Sequence, residues 1–473
     1  MSSADVAASL SPITSHGSEP TPGVADELRR TFDAGTTRPL AWRRAQLEGL
    51  RAFYDEHEAA ILAAVATDLA KPPLEALAAE IGAPRGDVDE ALKRLEQWVA
   101  PRKVGTALAA QPGRSHVQAD PLGVVLIIAP WNYPFALALQ PLVGAIAAGN
   151  CVVVKPSEIT PTCSALMAEL LPRYLDADAI RIVEGGVPET TELLAQRWDH
   201  VFYTGNGAVG RIVMRAAADH LTPVTLELGG KSPCIVDASC DLDVAVSRIA
   251  WGKFFNAGQT CVAPDYVLVD ATLEQEFLRL LAAKIIAFYG TDPKDSADYG
   301  RIVNDRHHAR VAGLIDGGTP VAGGDVTPGQ RYIAPTVLTD VDLQAPVMQE
   351  EIFGPVLPVI PVADVAAAIA FVNARPKPLA LYVFATDEEV VQAVLDRTSS
   401  GGVTVNHTWL HLANPNLPFG GVGESGMGAY HGRTSFDTFS HHKAVLHKPA
   451  GMDLPLLYPP HTRVKKAIVK RLM

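Results

Sequence analysis

The sequence predicts an α/β protein with two domains, and two patterns carry that prediction. Between residues 124 and 228, short apolar runs alternate with helical segments, which is typical of a doubly wound parallel sheet. The alternation starts again at Ser232, after the glycine pair Gly229-Gly230, and so predicts a second α/β domain beyond a flexible joint. A chain of 473 residues is long enough for both domains and a large core.

The first domain begins with helices and continues with five predicted strands. Residues 24–72 carry apolar side chains at helical spacing, and residues 74–99 continue this pattern. The predicted strands are 124–129, 151–154, 180–184, 200–203 and 224–228. The predicted helices between them are 135–148, 161–174, 190–196 and 208–220. Since ligands of such sheets bind beyond the carboxyl ends of the strands, motifs at strand ends carry the most weight.

The second domain repeats this organisation. Its predicted strands are 234–236, 266–269, 357–360, 381–384 and 402–405. Its predicted helices are 242–255, 273–289, 365–373 and 388–397. Residues 105–120 have few large side chains and fit an exposed hairpin or arm.

Composition narrows the class of protein. With 40 Lys and Arg against 52 Asp and Glu, the net charge of −12 argues against nucleic-acid binding. The five cysteines are too few and too scattered for a disulfide framework or a zinc cluster, so we expect a reducing compartment and no metal. Residues 1–23 have no basic start and no apolar core, and they fit a disordered tail rather than a signal peptide. Prolines interrupt the one long uncharged stretch, which favours a buried α/β unit over a membrane span.

Cys261 is the first candidate for chemistry. It lies where the helical pattern of 242–255 breaks, just before the strand-like run 266–269. A thiol at such a junction can project into a cleft and act as a nucleophile. The alternative is a buried cysteine that only fills space.

Two further candidates lie at strand ends. Asn132 lies in a charge-free turn braced by prolines, where a fixed amide could stabilise an oxyanion or simply cap the next helix. Glu227 lies inside an apolar strand, where burial would raise its pKa toward the range of a general base. The alternative for Glu227 is a structural carboxylate with a polar partner.

A nucleotide could bind at two other turns. Gly205, Gly207 and Gly210 match G-x-G-x-x-G between a strand and a helix, where backbone N–H groups could hold a pyrophosphate, although glycines also serve plain tight turns. Lys155 and Glu158 follow an earlier strand and could bind a ribose or remain solvated.

Together these motifs resemble the NAD(P)-dependent aldehyde dehydrogenase superfamily. The ordered set is 131–134 Trp-Asn-Tyr-Pro, 155–158 Lys-Pro-Ser-Glu, 204–206 Thr-Gly-Asn, 227–231 Glu-Leu-Gly-Gly-Lys, 258–261 Gly-Gln-Thr-Cys, 351–355 Glu-Ile-Phe-Gly-Pro and 418–423 Pro-Phe-Gly-Gly-Val-Gly. Details such as 264–266 Pro-Asp-Tyr, 68–71 Asp-Leu-Ala-Lys and 425–428 Ser-Gly-Met-Gly are similar to the class-three branch. The resemblance covers the chain from about residue 24 to residue 443.

The resemblance implies a reaction and its residues. Cys261 would attack the aldehyde carbonyl, and the Asn132 side chain with the Cys261 backbone N–H would hold the oxyanion. Hydride would pass to the nicotinamide and leave a thioester, which water activated by Glu227 would hydrolyse to the acid.

The resemblance also implies an NAD(P) site without a metal. The residues that would contact the cofactor are Lys155, Glu158, Gly205, Asn206, Gly210, Glu351 and Phe353. A carboxylate at Glu158 favours a free 2′-hydroxyl and repels a 2′-phosphate. We therefore expect NAD to be preferred and NADP to be accepted.

An apolar aldehyde tunnel is expected beside Cys261. Trp251 and Phe255 lie four residues apart on the preceding helix and, with Tyr133, would line it, while Phe419 would close it. The alternative is that these rings belong to the ordinary core. Medium or long aliphatic and aromatic aldehydes all remain open as substrates. The pairs His307-His308 and His441-His442 have the wrong spacing for a metal site and are predicted at the surface.

The resemblance gives the domain plan and the expected partners. The plan is a tail at 1–23, an NAD(P)-binding Rossmann-type domain at 24–105 and 120–228, a catalytic domain at 229–424, a bridging and dimerisation arm at 106–119 and 425–446, and a C-terminal tail at 447–473. A homodimer is expected through the arm. Because residues 463–473 are basic and contain no hydrophobic anchor, a soluble, cytoplasmic protein without a membrane anchor is expected.

Two alternative functions are possible for this fold, and particular residues argue against each. A CoA-acylating relative would pass the thioester to CoA, but such relatives generally lack a base like Glu227. A non-catalytic protein of the same fold would have little reason to keep Cys261, Asn132, Glu227 and Glu351 together.

Overall fold

The structure is a computed structural model that describes residues 23–451 and 455–472. The predicted tail at 1–23 falls outside the described residues apart from Gly23. The described chain forms two large β-sheets with helices around them and two small antiparallel sheets.

The first sheet has six strands. In spatial order they are Gly426–Met427, Val224–Leu228, His200–Gly205, Val124–Ile128, Cys151–Lys155 and Ile180–Ile182. The five strands predicted for the first half of the chain are confirmed, and they run parallel. Val124–Ile128 and Cys151–Lys155 are buried along their whole length, as continuous apolar runs in a parallel sheet should be. The short strand Gly426–Met427 was not predicted, because two residues carry no periodicity, and it places Gly426 opposite Glu227.

Helices surround the first sheet largely where the apolar spacing predicts them. They are Val24–Asp33, Leu40–Leu69, Pro73–Ala76, Ala83–Val99, Ala136–Ala148, Pro161–Leu170, Val187–Leu194 and Gly207–Ala218, with a π-helical turn at Leu77–Gly82. The helix Ala136–Ala148 is buried on almost every side, which explains its nearly uniform apolar sequence.

The second sheet has seven strands. In spatial order they are Thr319–Ala322, Thr336–Thr339, Val356–Val362, Tyr266–Asp270, Pro233–Val236, Ala380–Phe384 and Gly402–Val405. Its helices are Leu242–Phe254, Glu274–Tyr289, Asp305–Ala312, Pro346–Gln349, Val365–Asn373 and Glu388–Arg397. The five predicted strands are confirmed. Thr319–Ala322 and Thr336–Thr339 were missed because prolines at 320 and 335 interrupt their pattern.

A small three-stranded sheet joins distant parts of the chain. Arg102–Val104 and Ser440–His447 pair antiparallel with the two edges of Arg114–Pro121. The remaining elements are a two-stranded pair, Val326–Thr327 with Tyr332–Ile333, and the helices Gly432–Thr438 and Arg463–Leu472. Among the described residues, no helix combines the length and the apolar character needed to cross a membrane.

Candidate active site

Cys261 follows a sharply turned loop. After helix Leu242–Phe254, three successive residues, Asn256, Ala257 and Gly258, have left-handed φ angles of 53°, 51° and 75°. Left-handed backbone is strained for residues other than glycine and costs on the order of 1 kcal/mol each. Gly258 has a second constraint, since a Cβ there would lie 2.2 Å from the carbonyl oxygen of Gly354. The strained backbone of this loop therefore needs stabilising contacts from other parts of the chain.

Gln259 supplies much of that support. Its side chain is fully buried, and its Nε2 donates to the carbonyl oxygens of Asn256 and Arg301, each at 2.9 Å. Its Oε1 accepts a hydrogen bond from the Val303 N–H at 2.9 Å. On the far side of Cys261, the Tyr382 hydroxyl donates to the carbonyl of Val262 at 2.5 Å. Gln259 belongs to the motif 258–261, but its supporting role was not predicted, because Arg301 and Val303 lie 42 and 44 residues along the chain.

Asn132 lies against this loop. The Asn132 side-chain Nδ2 donates to the backbone carbonyl of Gln259 at 3.0 Å. The backbone carbonyl of Asn132 accepts hydrogen bonds from Lys71 Nζ at 2.9 Å and from Asn256 Nδ2 at 3.1 Å. The side chain does not cap the next helix, whose N-cap residue is Phe135. An amide has two N–H donors, and the hydrogen bond to the Gln259 carbonyl uses one of them.

Glu227 is a buried carboxylate in strand Val224–Leu228. It is 2% exposed, and neither of its oxygens has a hydrogen-bond partner among the described residues. Burial raises the pKa of Glu227 well above its usual value, since the charged form would lose its hydration. In the part of the chain that the structure describes, the alternative of a structural glutamate therefore finds no polar partner.

Glu351 is a half-buried glutamate whose Oε1 is shielded from solvent. Burial, with a contribution from the charge of Asp265, raises its pKa to about 8, although a hydrogen bond from the Gly230 backbone opposes the shift. Among the described residues, this Oε1 has no hydrogen-bond partner. The carboxylate lies so close to Gly229 that a Cβ there would be 2.0 Å from Glu351 Oε2.

Hydrogen bonds from charged side chains connect the Glu351 loop to the rest of the site. Lys231 pairs with Asp265, and Asp265 Oδ2 accepts the Ile352 N–H at 2.9 Å. Arg310 donates to the carbonyls of Glu351 at 3.2 Å and Ile352 at 2.7 Å. The loops of Cys261 and Glu351 are thus fixed to each other by charged side chains.

The Cys261 thiol lies in a poor environment for a thiolate. Burial raises its pKa above the ordinary value, and the carboxylates of Glu351 and Glu227 raise it further. The side chain keeps part of its surface exposed, so a reactant can reach it. In this state the sulfur is a neutral thiol that needs an added positive charge or a proton acceptor to ionise.

The predicted cofactor residues follow the strands of the first sheet. Lys155 ends Cys151–Lys155, and its Nζ lies 2.9 Å from Glu158 Oε2. Gly205 ends His200–Gly205, and Asn206 caps helix Gly207–Ala218 by accepting the Val209 N–H at 3.0 Å.

Several features of these residues bear on whether they can bind a dinucleotide. The N-terminus of helix Gly207–Ala218 offers backbone donors for phosphate, and Gly210 packs so tightly that a Cβ would lie 2.9 Å from Leu228. The orphaned Oε1 of Glu351 is a buried acceptor suited to a ribose hydroxyl. Phe353, in a left-handed conformation with φ 46°, places its ring 5.3 Å from that of Trp131. The residues therefore fit NAD(P).

An aromatic cluster lies beside the Cys261 loop. Tyr133 and Phe255 form its buried part, and Trp251 and Trp409 pack against it. The Phe255 ring lies 5.6 Å from Trp251 and 4.7 Å from Trp409. The Tyr133 hydroxyl lies 2.6 Å from Thr260 Oγ1. Trp409 was missed, because it lies in an irregular segment with no periodicity and has φ 65°.

Phe419 does not belong to that cluster. Its ring contacts those of Tyr430 at 5.7 Å, His431 at 5.4 Å and His411 at 6.1 Å. These residues form a separate buried group, so the four rings predicted for the tunnel are not brought together as one set.

The histidine pairs behave differently from each other. His441 and His442 are exposed, as predicted. The surface prediction is wrong for His308, which is buried and lies 2.9 Å from the Tyr332 carbonyl through Nε2. His307 is partly buried against the Trp131 ring at 5.1 Å. Within the described residues, no group of three His, Cys, Asp or Glu side chains could hold a metal ion.

Comparisons with known proteins show the family and the fold. Residues 17–445 match the model of the aldehyde dehydrogenase family. The chain is 52% identical over 440 residues to aldehyde dehydrogenase family 3 member A2 of Macaca fascicularis, covering 93% of this chain and 91% of that protein. It is 50% identical over 439 residues to the dimeric NADP-preferring aldehyde dehydrogenase of Canis lupus familiaris, covering 92% and 97%. The substrate-bound structure of Staphylococcus aureus AldH superposes with a TM-score of 0.94 at 43% identity, covering 96% of this chain and 100% of that one.

Proposed function

Because the chain belongs to the aldehyde dehydrogenase family, we propose that Cys261, Asn132 and Glu227 perform its reaction. The protein is an NAD(P)-dependent aldehyde dehydrogenase of the class-three-like branch, and it oxidises an aldehyde to the carboxylic acid. The observation that supports the residue roles best is the contact between Asn132 and the loop of Cys261, where Asn132 Nδ2 donates to the Gln259 carbonyl at 3.0 Å.

The proposed steps follow from the chemistry of these groups. Once the thiol proton has passed to solvent, the Cys261 sulfur attacks the aldehyde carbonyl, and the second N–H of the Asn132 amide and the backbone N–H of Cys261 receive the oxyanion. NAD(P)⁺, held by residues such as Lys155, Asn206 and Glu351, would supply the hydride acceptor, and the carbonyl carbon bonded to Cys261 would then be a thioester. Glu227 then takes a proton from the water that attacks the thioester. A carboxylate without hydrogen-bond partners is a stronger base, once ionised, than an exposed one.

We propose that NAD is preferred and NADP accepted, although one relative is named NADP-preferring. Glu158 supports this preference, because its carboxylate, paired with Lys155, would repel a 2′-phosphate. The measurement is the ratio of kcat/KM with the two cofactors, in wild type and in Glu158→Gln. We expect the substitution to shift the ratio toward NADP about tenfold. A clear NADP preference in the wild type would contradict the proposal.

The substrate class follows from the aromatic cluster. Tyr133, Trp251, Phe255 and Trp409 offer apolar faces beside Cys261, which suits medium or long aliphatic and aromatic aldehydes. Glu351, with its orphaned oxygen, is proposed to bind the nicotinamide ribose of the cofactor. A homodimer is proposed by analogy with the relative that is named dimeric, and sedimentation of the purified chain tests it.

The decisive experiment is NADH formation with a panel of short, long and aromatic aldehydes. We expect robust activity that Cys261→Ala abolishes. Cys240→Ala is the matched control, since Cys240 is also a partly exposed free cysteine. Full activity in Cys261→Ala would refute the role of this thiol. Turnover that requires CoA and yields acyl-CoA would instead support the acylating alternative.

A further inference from the structure

A buried ion pair lies behind the turn that carries Asn132. Lys71 Nζ contacts the Glu80 carboxylate, and both side chains are 0% exposed. Removing two charges from water costs several kcal/mol per ion, and replacing such pairs by apolar residues is often neutral or stabilising. Stability alone is therefore a weak explanation for this pair, and its other contacts are more informative.

Those contacts are with the Asn132 turn. Lys71 Nζ donates to the Asn132 carbonyl at 2.9 Å. Glu80 Oε2 accepts the backbone N–H groups of Phe135 at 3.1 Å and Ala136 at 3.2 Å. These are the first N–H groups of helix Ala136–Ala148, which has no side-chain cap of its own, and a negative charge is favourable there. Lys71 thus holds the start of the turn at Asn132, and Glu80 holds its end at Phe135 and Ala136.

Lys71 also contacts Tyr133, which connects the ion pair to the Cys261 loop. Lys71 Nζ lies 4.0 Å above the centre of the Tyr133 ring, in the arrangement of a cation–π contact. The Tyr133 hydroxyl in turn lies 2.6 Å from Thr260 Oγ1, one residue before Cys261. Asn256 Nδ2 donates to the same Asn132 carbonyl at 3.1 Å. The backbone carbonyl of Asn132 is therefore held by two hydrogen bonds, one from Lys71 and one from Asn256 in the Cys261 loop.

The local chain geometry explains how Lys71 and Glu80 meet. Helix Leu40–Leu69 ends at Ala70, whose left-handed φ of 49° redirects the chain just before Lys71. The π-helical turn Leu77–Gly82 then carries Glu80 into the interior. Single π-helical turns inside helices occur frequently at functional sites.

We propose that Lys71 and Glu80 are positioning residues for the oxidation, which fix Asn132 so that its free N–H points at the developing oxyanion. The inference rests on the proposed role of Asn132. A donor that is fixed in advance stabilises the transition state without reorganising, so loosening it should slow the first chemical step and leave ground-state binding unchanged.

The test compares two double variants of equal charge. In Lys71→Met/Glu80→Gln, no charge is left unpaired, and the glutamine oxygen can still accept the helix N–H groups. Both double variants lose the cation over the Tyr133 ring, so they differ only in the donor to the Asn132 carbonyl. Lys71→Gln/Glu80→Gln keeps a donor at that position. We expect the rate of NADH formation in the first turnover to fall about 10- to 100-fold in the methionine variant and to recover partly in the glutamine variant.

Three further readouts separate positioning from general damage. We expect the aldehyde KM, the NAD dissociation constant and the rate of Cys261 alkylation by iodoacetamide to stay at their wild-type values in both double variants. Equal first-turnover rates in the two variants would overturn the proposal. A fall in the first-turnover rate accompanied by loss of NAD binding and thiol reactivity would also overturn it, as would failure of both variants to fold, because the pair would then be structural.

Two control variants complete the design. Arg29→Met breaks the partly buried pair between Arg29 and Asp199, whose carboxylate accepts the Val124 N–H at the opposite end of the first sheet. It should lower the Tm and leave the first-turnover rate unchanged. Asn132→Ala tests the underlying role. If it keeps the full rate, the proposed function of Asn132 fails, whereas a slow Asn132→Ala beside a normal methionine variant refutes the positioning proposal alone.

Discussion

The two large sheets bring their side chains to the cleft in opposite ways. In the first sheet, the candidate residues lie at or beyond the carboxyl ends of strands, as with Lys155 at the end of Cys151–Lys155 and Asn132 just beyond Val124–Ile128. In the second sheet, Cys261 precedes strand Tyr266–Asp270 and Glu351 precedes Val356–Val362. These two strands are parallel neighbours, so both loops meet at the amino ends.

This difference determines what holds each residue. A side chain in a strand such as Glu227 is positioned by the backbone hydrogen bonds of the sheet. The loops of Cys261 and Glu351 have no such ladder and depend on buried polar side chains, chiefly Gln259, Asp265 and Lys231. We therefore expect substitutions on the first sheet to change chemistry while the fold persists, and substitutions behind the second sheet to change the loops themselves.

The largest expected effect is on Glu227. Glu227→Gln should lower the steady-state rate about 10²- to 10⁴-fold, because the amide cannot accept a proton from water. The first turnover should still release NADH as a burst, since the thioester forms without this base. Glu351→Gln is the contrasting variant, for which we expect weaker NAD binding and no accumulated acyl-enzyme. Absence of a burst in Glu227→Gln would contradict the assigned role.

Gln259 tests the support of the second sheet. Gln259→Ala removes a fully buried side chain and leaves the Val303 N–H without its partner. We expect the free energy of unfolding to fall by about 2–4 kcal/mol. Denaturant unfolding is the measurement, and Gln330→Ala, at an exposed glutamine, should change it by less than about 0.5 kcal/mol. Equal unfolding of both variants would show that the loop does not depend on Gln259.

The sequence was most informative where strands are long and apolar. All ten predicted strands exist, and the rule that ligands bind at carboxyl ends drew attention to Asn132, Lys155 and Gly205, which lie at or beyond the ends of first-sheet strands. The strands that the sequence did not predict were missed for physical reasons. Strand Thr319–Ala322 contains a proline, and the strand Gly426–Met427 is too short for any pattern.

The supports of the site could not be predicted from spacing. Lys71 lies 61 residues from Asn132, and Gln259 lies 44 residues from Val303. Such contacts are set by tertiary packing, which periodicity does not reveal. Cys261 was singled out through its motif, whereas Trp409 carries no motif and became visible only through its ring contact with Phe255.

A glycine pair sharpens the contrast at the joint between the sheets. A Cβ at Gly229 would lie 2.0 Å from Glu351 Oε2, whereas one at Gly230 would lie 3.4 Å from Pro378 Cα, which is an ordinary contact. Gly229→Ala must therefore displace the Glu351 carboxylate, and we expect the NAD dissociation constant to rise about tenfold, or about 1.4 kcal/mol. Gly230→Ala should raise it by a smaller factor. Equal effects in a fluorescence titration would argue that Glu351 does not contact the cofactor.

Burial lowers the pKa of His200, at the start of a first-sheet strand, to about 4, and it does the same for His411 beside the second sheet. In the unfolded chain a histidine titrates near 6.5, so between about pH 6.5 and 4 each of these two side chains binds more protons in the unfolded state than in the folded state. Their contribution to the free energy of unfolding should therefore fall with decreasing pH in this window, by up to about 1.4 kcal/mol per pH unit for each histidine, whereas the raised pKa values of Glu227 and Glu351 act in the opposite sense. His200→Asn and His411→Asn should each flatten this slope by a similar amount, and His441→Asn, at an exposed position, should not. An unchanged slope in His411→Asn alone would mean that its surroundings open to solvent before the protein unfolds, and the loops around the second sheet would then be the weaker half in acid as well.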